Sequence, residues 1–311
     1  MVEILEKYVG RLAPSPTGAL HLGNVRTFMI AYLRARSLSG RIILRMEDLD
    51  HPRDKPGADL QAIEDLRWLG FEWDEEYVQS KRKALYKDAL GKLLSHTPYP
   101  LAYPCICSRK DVEAAQSAPH QGEQLYYPGI CRDRFSSWAQ ASNVKINPCW
   151  RFRVDNDDII SFKDNFAGIF EMDVAKTLGD FPLARDEFGA GYTLAVVVDD
   201  AAMGVTEVVR ADDLLAATPP QILIQRALTL PTPQYCHVPL VVGEDGKRLA
   251  KRHGDTRICA LRAQGLRKKE IIGTLAASCG WIEKGEDATL EELIPLFDLS
   301  TIPHEPFIWR M

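Results

Sequence analysis

The 311-residue sequence has no run of about 18 or more apolar residues, so no segment has the length of a membrane-spanning helix. Its first residues, Met1 to Tyr8, carry Glu3 and Glu6 where a secretion signal would carry bases and a longer apolar stretch. A cytoplasmic location without a membrane partner is therefore expected. A paired cysteine set is also missing: seven cysteines without an export signal argue against a disulfide framework and for reduced thiols or a metal site. Cys105 and Cys107 are too close in sequence to pair with each other. Nor is there an excess of positive charge. The net charge of −5 counts mildly against a nucleic-acid partner, because phosphate binding needs a positive surface. Repeats and low-complexity tracts are absent too. What remains is a soluble globular chain, 46% hydrophobic, long enough for about two domains.

Charge is distributed unevenly. Between Lys247 and Lys269 nine Lys or Arg residues face a single acid, Asp255, which predicts either a basic face or an ordinary solvated helix surface. Along the chain, Tyr8 to Leu12 reads as a short strand, Ala13 to Gly18 as a turn, and Val25 to Arg36 as a helix with Val25, Phe28, Met29, Tyr32 and Leu33 on its apolar face. Arg41 to Met46 reads as a second strand, followed by the acidic cluster from Glu47 to Asp50 and a helix from Ala58 to Leu69 that Gly70 stops. This alternation predicts a parallel α/β unit, with its active site beyond the carboxyl ends of the strands. After a helix from Lys81 to Leu94, the Pro, Cys, Tyr and Gly residues between Pro98 and Pro148 read as an insertion. The apolar run Tyr192 to Val198 is expected to be a buried strand, with another at Val205 to Arg210 and a helix starting at Thr218-Pro-Pro-Gln221. From Thr256 to Leu296 the pattern is helical and suggests a separate lobe. The expected division is residues 1–97 and 149–254 for two parts of the catalytic domain, 98–148 for the inserted lobe and 255–311 for the helical lobe.

Two segments can carry chemistry. In Arg11-Leu-Ala-Pro-Ser-Pro-Thr-Gly-Ala-Leu-His-Leu-Gly-Asn24, a histidine and a glycine open a helix directly after a strand and a tight turn. A helix start can hold a phosphate through its unpaired N–H groups and its dipole. Far downstream, Gly246-Lys-Arg-Leu-Ala-Lys-Arg-His-Gly254 places bases between glycines, as a mobile loop bringing Lys251 to a polyphosphate would. The bland alternatives are a structural histidine and a charged turn. In the insertion, Cys105, Cys107 and Cys131 suggest a tetrahedral zinc site lacking one ligand, for which His120 and Cys149 are candidates.

In order and context, these segments resemble the signatures of class I aminoacyl-tRNA synthetases. His21-Leu-Gly-Asn24 is similar to His-Ile-Gly-His, and Arg248-Leu-Ala-Lys-Arg252 to Lys-Met-Ser-Lys-Ser, with Asn24, Arg248 and Ala250 departing from the pattern. More narrowly, Arg11 to Gly18, Arg45-Met-Glu-Asp-Leu-Asp50 and Tyr192-Thr-Leu-Ala-Val-Val-Val-Asp-Asp200 resemble the glutamyl-tRNA synthetase group. The likeness runs from Arg11 to Gly254. A glutamyl-tRNA synthetase continues into an anticodon-binding region, where this sequence carries only one small helical lobe. That brevity, the Asp54-Lys-Pro-Gly-Ala58 segment and the Cys-x-Cys insertion resemble the glutamyl-queuosine tRNA(Asp) synthetase family.

The resemblance implies a Rossmann-like parallel-sheet domain with a zinc-bearing insertion and a small helical C-terminal lobe. It implies a monomeric ligase that activates L-glutamate with ATP and Mg²⁺ and transfers it to queuosine in tRNA(Asp). Arg11, Ala13, Ser15, Glu47, Tyr192 and Arg210 would bind glutamate. His21, Gly23, Asn24, Arg248, Leu249 and Lys251 would bind ATP, with His21 and Lys251 catalytic. One structural Zn²⁺ would sit on Cys105, Cys107, Tyr127 and Cys131. The alternatives are a true glutamyl-tRNA synthetase charging the 3′ end of tRNA(Glu), a catalytically inactive RNA-binding paralogue and a nucleotidyltransferase unconnected with tRNA.

Overall fold

A computed structural model of the chain describes residues 7–49, 54–115, 126–145, 147–247, 249 and 255–310. The strand β1 (Val9–Leu12) leads through a loop into α1 (Leu22–Ser37), and β2 (Arg41–Met46) is followed by α2 (Ala58–Leu69), β3 (Glu75–Val78) and α3 (Lys83–Leu94). The three strands are parallel with β2 in the middle, Val9 opposite Arg41 and Ile43 opposite Glu75. Ile42, Ile43 and Leu44 are fully buried in succession, as expected of a strand covered on both faces. Gly40 admits the close approach of β1, since a Cβ there would lie 2.6 Å from the Tyr8 carbonyl oxygen. Gly70 ends α2 in the left-handed region, at φ 97°.

Next come β4 (Ala102–Cys105), α4 (Arg109–Ala115), α5 (Trp138–Ser142), β5 (Cys149–Phe152), β6 (Ile159–Asp164), β7 (Gly168–Asp173), α6 (Val174–Thr177) and β8 (Pro182–Ala184). Here β4, β5 and β8 form a small antiparallel sheet. The chain continues through α7 (Tyr192–Ala202), β9 (Glu207–Ala211), α8 (Thr218–Ala227), β10 (Gln234–Val238) and β11 (Val241–Val242). A second sheet has the order β7-β6-β10-β9, with β10 parallel to β6 and β9. The two halves of the core meet where β9 reaches β1: the Thr206 N–H donates to the Val9 carbonyl at 2.9 Å. Finally α9 (Ile258–Ala263), α10 (Lys268–Ala277) and α11 (Leu290–Leu293) share one hydrophobic core with α1 and α2, through Leu261, Ile271, Leu275 and Leu293. The last strand, β12 (Phe307–Ile308), pairs with β11.

The parallel α/β expectation stands, but one element is corrected. The run Tyr192 to Val198 is not a strand; it forms most of helix α7. Leu194 to Val198 are all buried, and an unbroken apolar run shows neither the helical nor the strand period. Burial on every side overrides the strand preference of three consecutive valines. The helix also continues through Asp199 to Ala202, too long for the expected strand.

Candidate active site

The loop after β1 and the end of β2 are stitched together, because the Glu47 N–H donates to the Pro14 carbonyl at 2.9 Å and the Lys55 N–H to that of Pro16 at 2.9 Å. Ala13 and Ser15 flank the first of these contacts, Ala13 half-buried and Ser15 exposed. Both ends of the loop therefore lie at the carboxyl edge of the parallel strands, where ligands bind in such sheets.

His21 stands in extended conformation immediately before α1, and its N–H donates to the Asn24 Oδ1 at 3.2 Å. A side chain at Gly23 would press on the His21 ring at 3.1 Å, so glycine keeps that imidazole in place. The helix start is also bound to the segment after the basic loop. The Leu22 N–H donates to the Thr256 carbonyl at 3.1 Å, the Ile258 N–H donates to the Leu20 carbonyl at 2.9 Å, and His21 and Arg257 form an antiparallel bridge. On the other side of the loop, Leu249 is buried in the core that contains α1. Arg248 and Lys251 lie outside the described residues, and the segment that follows them, Thr256 and Arg257, is bonded beside His21.

Beneath this edge lies a buried charged cluster. Arg45 on β2 is fully buried, with Nη1 donating to the Asp200 Oδ1 at 2.5 Å and Nη2 to the Glu47 Oε1 at 3.0 Å. Burial alone would lower the Arg45 pKa, but the charges of Asp200 and Glu47 outweigh it and the net shift is upward. Glu47 shifts upward because burial outweighs the attraction of Arg45 and Arg11. Arg11 on β1 shifts downward, chiefly through burial, with Asp200 opposing. Its Nη1 donates to the Val209 carbonyl at 2.8 Å, but its buried Nε makes no hydrogen bond, with Asp200 at 3.8 Å. Arg210 on β9 donates through Nε to the His237 Nε2 at 2.9 Å and through Nη2 to the Thr218 hydroxyl at 2.8 Å. Its Nη1 reaches only the Tyr192 hydroxyl, at a loose 3.5 Å. Among the described residues, two buried arginines thus retain donors without a close partner, which is what a carboxylate ligand requires.

Arg11, Glu47, Tyr192 and Arg210, scattered through the sequence, come close enough for their charges to act on one another. Arg45 and Asp200 carried no assigned role in the sequence reading, although both sit in the segments that supported the family resemblance. Asp164 and His237 were missed altogether. A histidine within the apolar strand β10 and an acid closing β6 were the only signals for them.

In the small antiparallel sheet, Cys105, Cys107 and Cys131 hold their Sγ atoms within 4.8 Å of one another. A tetrahedral zinc site with bonds of about 2.3 Å sets neighbouring sulfurs about 3.8 Å apart. The Cys107 and Cys131 sulfurs are 3.6 Å apart, and the Tyr127 hydroxyl lies 3.2 Å from Cys105 and 3.8 Å from Cys107. The three sulfurs therefore form a group that could hold a metal ion, with the Tyr127 hydroxyl beside it. Tyr127 is held by its N–H bond to the Leu178 carbonyl at 2.8 Å. Gly179 makes that approach possible: at φ 62°, a Cβ there would meet the Tyr127 carbonyl oxygen at 2.0 Å. Arg151 donates to the Cys105 sulfur at 3.3 Å and stacks 3.8 Å over the Tyr127 ring, placing a positive charge beside the cysteine cluster. Cys149, a free thiol, hydrogen-bonds to Cys105 but falls outside the group of three, and His120 lies outside the described residues.

This fold and site define a class I synthetase-type catalytic domain, and the family described as tRNA synthetases class I (E and Q), catalytic domain, matches residues 7–305. Among curated relatives, a glutamyl-Q tRNA(Asp) synthetase of Symbiobacterium thermophilum is 46% identical, covering 96% of this chain and 94% of its own length. The chain belongs to the glutamyl-Q tRNA(Asp) synthetase family. It is also 38% identical to a glutamate–tRNA ligase of Aquifex aeolicus, covering 98% of this chain but 65% of that protein. Among solved structures, a glutamate tRNA ligase from Elizabethkingia meningosepticum, in complex with its amino acid, superposes with a TM-score of 0.82 at 28% identity, covering 98% of this chain and 67% of that one. Among the described residues, no helix is long and apolar enough to cross a membrane.

Proposed function

We propose that this chain activates L-glutamate with ATP and transfers it to the queuosine base of tRNA(Asp). The observation that carries the glutamate assignment is the buried pair Arg11 and Arg210 with donors left over, beside a carboxylate, Glu47, that burial keeps from the solvent. Arg11 and Arg210 take the substrate carboxylates and Glu47 takes its ammonium group, while Tyr192, Ala13 and Ser15 line the stem and the main chain. Glutamine is rejected because its neutral amide leaves an arginine uncompensated in a dry site.

In the first step the glutamate α-carboxylate oxygen attacks the α-phosphorus of ATP, and the bond to the β-phosphate oxygen breaks, giving glutamyl-adenylate and pyrophosphate. ATP is bound as its Mg²⁺ complex, which neutralises part of the phosphate charge. His21, Gly23 and Asn24 at the start of α1 hold the phosphates, Arg248 and Leu249 line the nucleotide, and Lys251 draws off charge from the leaving pyrophosphate. In the second step a hydroxyl of the queuosine cyclopentene diol attacks the adenylate carbonyl, AMP leaves, and an ester remains. Glutamate-dependent exchange of pyrophosphate into ATP is expected without tRNA, with no exchange when glutamine replaces glutamate. Strict dependence on added tRNA, or equal exchange with glutamine, contradicts this reading.

The reading places the chain in the cytoplasm as a monomer, with residues 1–97 and 149–254 as the catalytic domain, 98–148 as the inserted lobe and 255–311 as the helical lobe. Cys105, Cys107, Tyr127 and Cys131 hold one Zn²⁺ that steadies the insertion against the RNA. Metal analysis is expected to find one zinc per chain, and Cys107→Ser to lose it and lower the melting temperature by several degrees, on the scale of about 1–2 kcal/mol of stability. A metal-free chain of unchanged melting temperature removes the zinc. A second reading, charging the 3′ end of tRNA(Glu), is favoured by the likeness to the Aquifex aeolicus ligase.

A further inference from the structure

Arg210 keeps a single edge for a ligand, because its other donors are held from behind. In the parallel pairing of β9 with β10, Arg210 is the direct partner of His237. His237 in turn lies against Asp164, the last residue of β6. From this geometry we propose that Asp164 and His237 are positioning residues that orient the Arg210 guanidinium for the substrate carboxylate, an inference that rests on the glutamate reading of Arg210.

The chain of bonds has only one consistent arrangement of protons. The Asp164 Oδ1 accepts three backbone N–H groups, from Phe166 at 2.9 Å, Ala167 at 2.8 Å and His237 at 3.0 Å. Its Oδ2 is left for the His237 Nδ1, 2.6 Å away. Burial works against ionisation of Asp164, but the bond from His237 and the three N–H groups outweigh it and hold the carboxyl below its usual range. An ionised carboxylate only accepts, so the imidazole proton sits on Nδ1. Nε2 is then a bare acceptor facing the Arg210 Nε–H at 2.9 Å and the Thr218 hydroxyl at 3.3 Å. Burial, assisted by the Arg210 charge, pushes the His237 pKa down, so the ring stays neutral at pH 7 and keeps that lone pair. With Nε fixed by His237 and Nη2 by Thr218, the guanidinium plane is set and Nη1 is presented beside the Tyr192 hydroxyl.

Asp164→Asn tests the relay with almost no change of shape. The three backbone N–H groups keep an oxygen at the Oδ1 position, so the new amide NH₂ faces the His237 Nδ1. That nitrogen must give up its proton, and an Nε2–H then confronts the Arg210 Nε–H. In ATP–pyrophosphate exchange the KM for glutamate is expected to rise about tenfold or more, the scale of one lost charge-assisted hydrogen bond, with the KM for ATP unchanged and kcat changed less than KM. Nitrogen-15 NMR of the imidazoles, without substrate, is expected to find the Nδ1–H tautomer at His237 in the unaltered protein and the Nε2–H tautomer in Asp164→Asn. An unaltered glutamate KM in the variant, a parallel rise in the KM for ATP, or an Nε2–H tautomer in the unaltered protein overturns the relay alone. No glutamate-dependent exchange in the unaltered protein instead overturns the reading of Arg210, and the relay with it.

Discussion

Lys251→Ala is expected to slow glutamate-dependent ATP–pyrophosphate exchange by about two to three orders of magnitude, the usual loss when one preorganised electrostatic donor is removed from a transition state. Adenylate formation places new negative charge on the departing pyrophosphate, and the reaction asks the protein mainly for positioning and neutralisation. Of the described residues flanking Lys251, Leu249 is buried in the core that contains α1, and the Thr256 carbonyl accepts the Leu22 N–H at the start of the same helix. Lys251 itself lies outside the described residues, five positions before Thr256 in the sequence. Because the charge matters chiefly in the transition state, the loss should fall on kcat more than on the KM for glutamate. An exchange rate equal to that of the unaltered protein removes Lys251 from the reaction.

The second large effect is on stability. Arg45→Met is expected to destabilise the fold by about 3–5 kcal/mol, because it removes one partner of a buried ionic cluster and leaves the other charges uncompensated. Methionine preserves most of the packing volume, so the loss reports charge rather than a cavity. Among the described residues Asp200 would keep only Arg11, at 3.8 Å, and Glu47 would lose its bonds from Arg45 at 3.0 and 3.3 Å. Urea unfolding measures the change directly, and adding Asp200→Asn to Arg45→Met should recover part of it. A loss below about 1 kcal/mol, the scale of an exposed ion pair, contradicts the picture of a dry cluster.

Legibility of this chain in its sequence follows the range of the interactions. The strand Arg41–Met46 and the helix Ala58–Leu69 were bounded correctly, since a basic start, an apolar run and a stopping glycine are local signals. Helix α7 was misread because an all-buried run has lost the period that would name it. The basic stretch from Lys247 to Lys269 reads differently once folded. Arg262 meets Glu64 at 2.9 Å, Arg267 meets Glu270 and Asp287, each at 2.9 Å, and Lys269 meets Glu292 at 3.6 Å. All four of those acids come from outside the stretch, so local composition overstated its free positive charge. Arg11 and Arg210 were singled out through a family likeness, whereas Asp164 and His237 were not, because their relay exists only through the register of three strands. No periodicity in one segment encodes which residue of another will stand beside it.

The acceptor is the central claim, and labelled glutamate tests it most directly. With ATP and Mg²⁺ supplied, the protein is offered two total tRNA pools that differ only in the presence of queuosine. Label entering the queuosine-containing pool alone is the result predicted here, and equal labelling of both pools would mean charging of a 3′ end and contradict it.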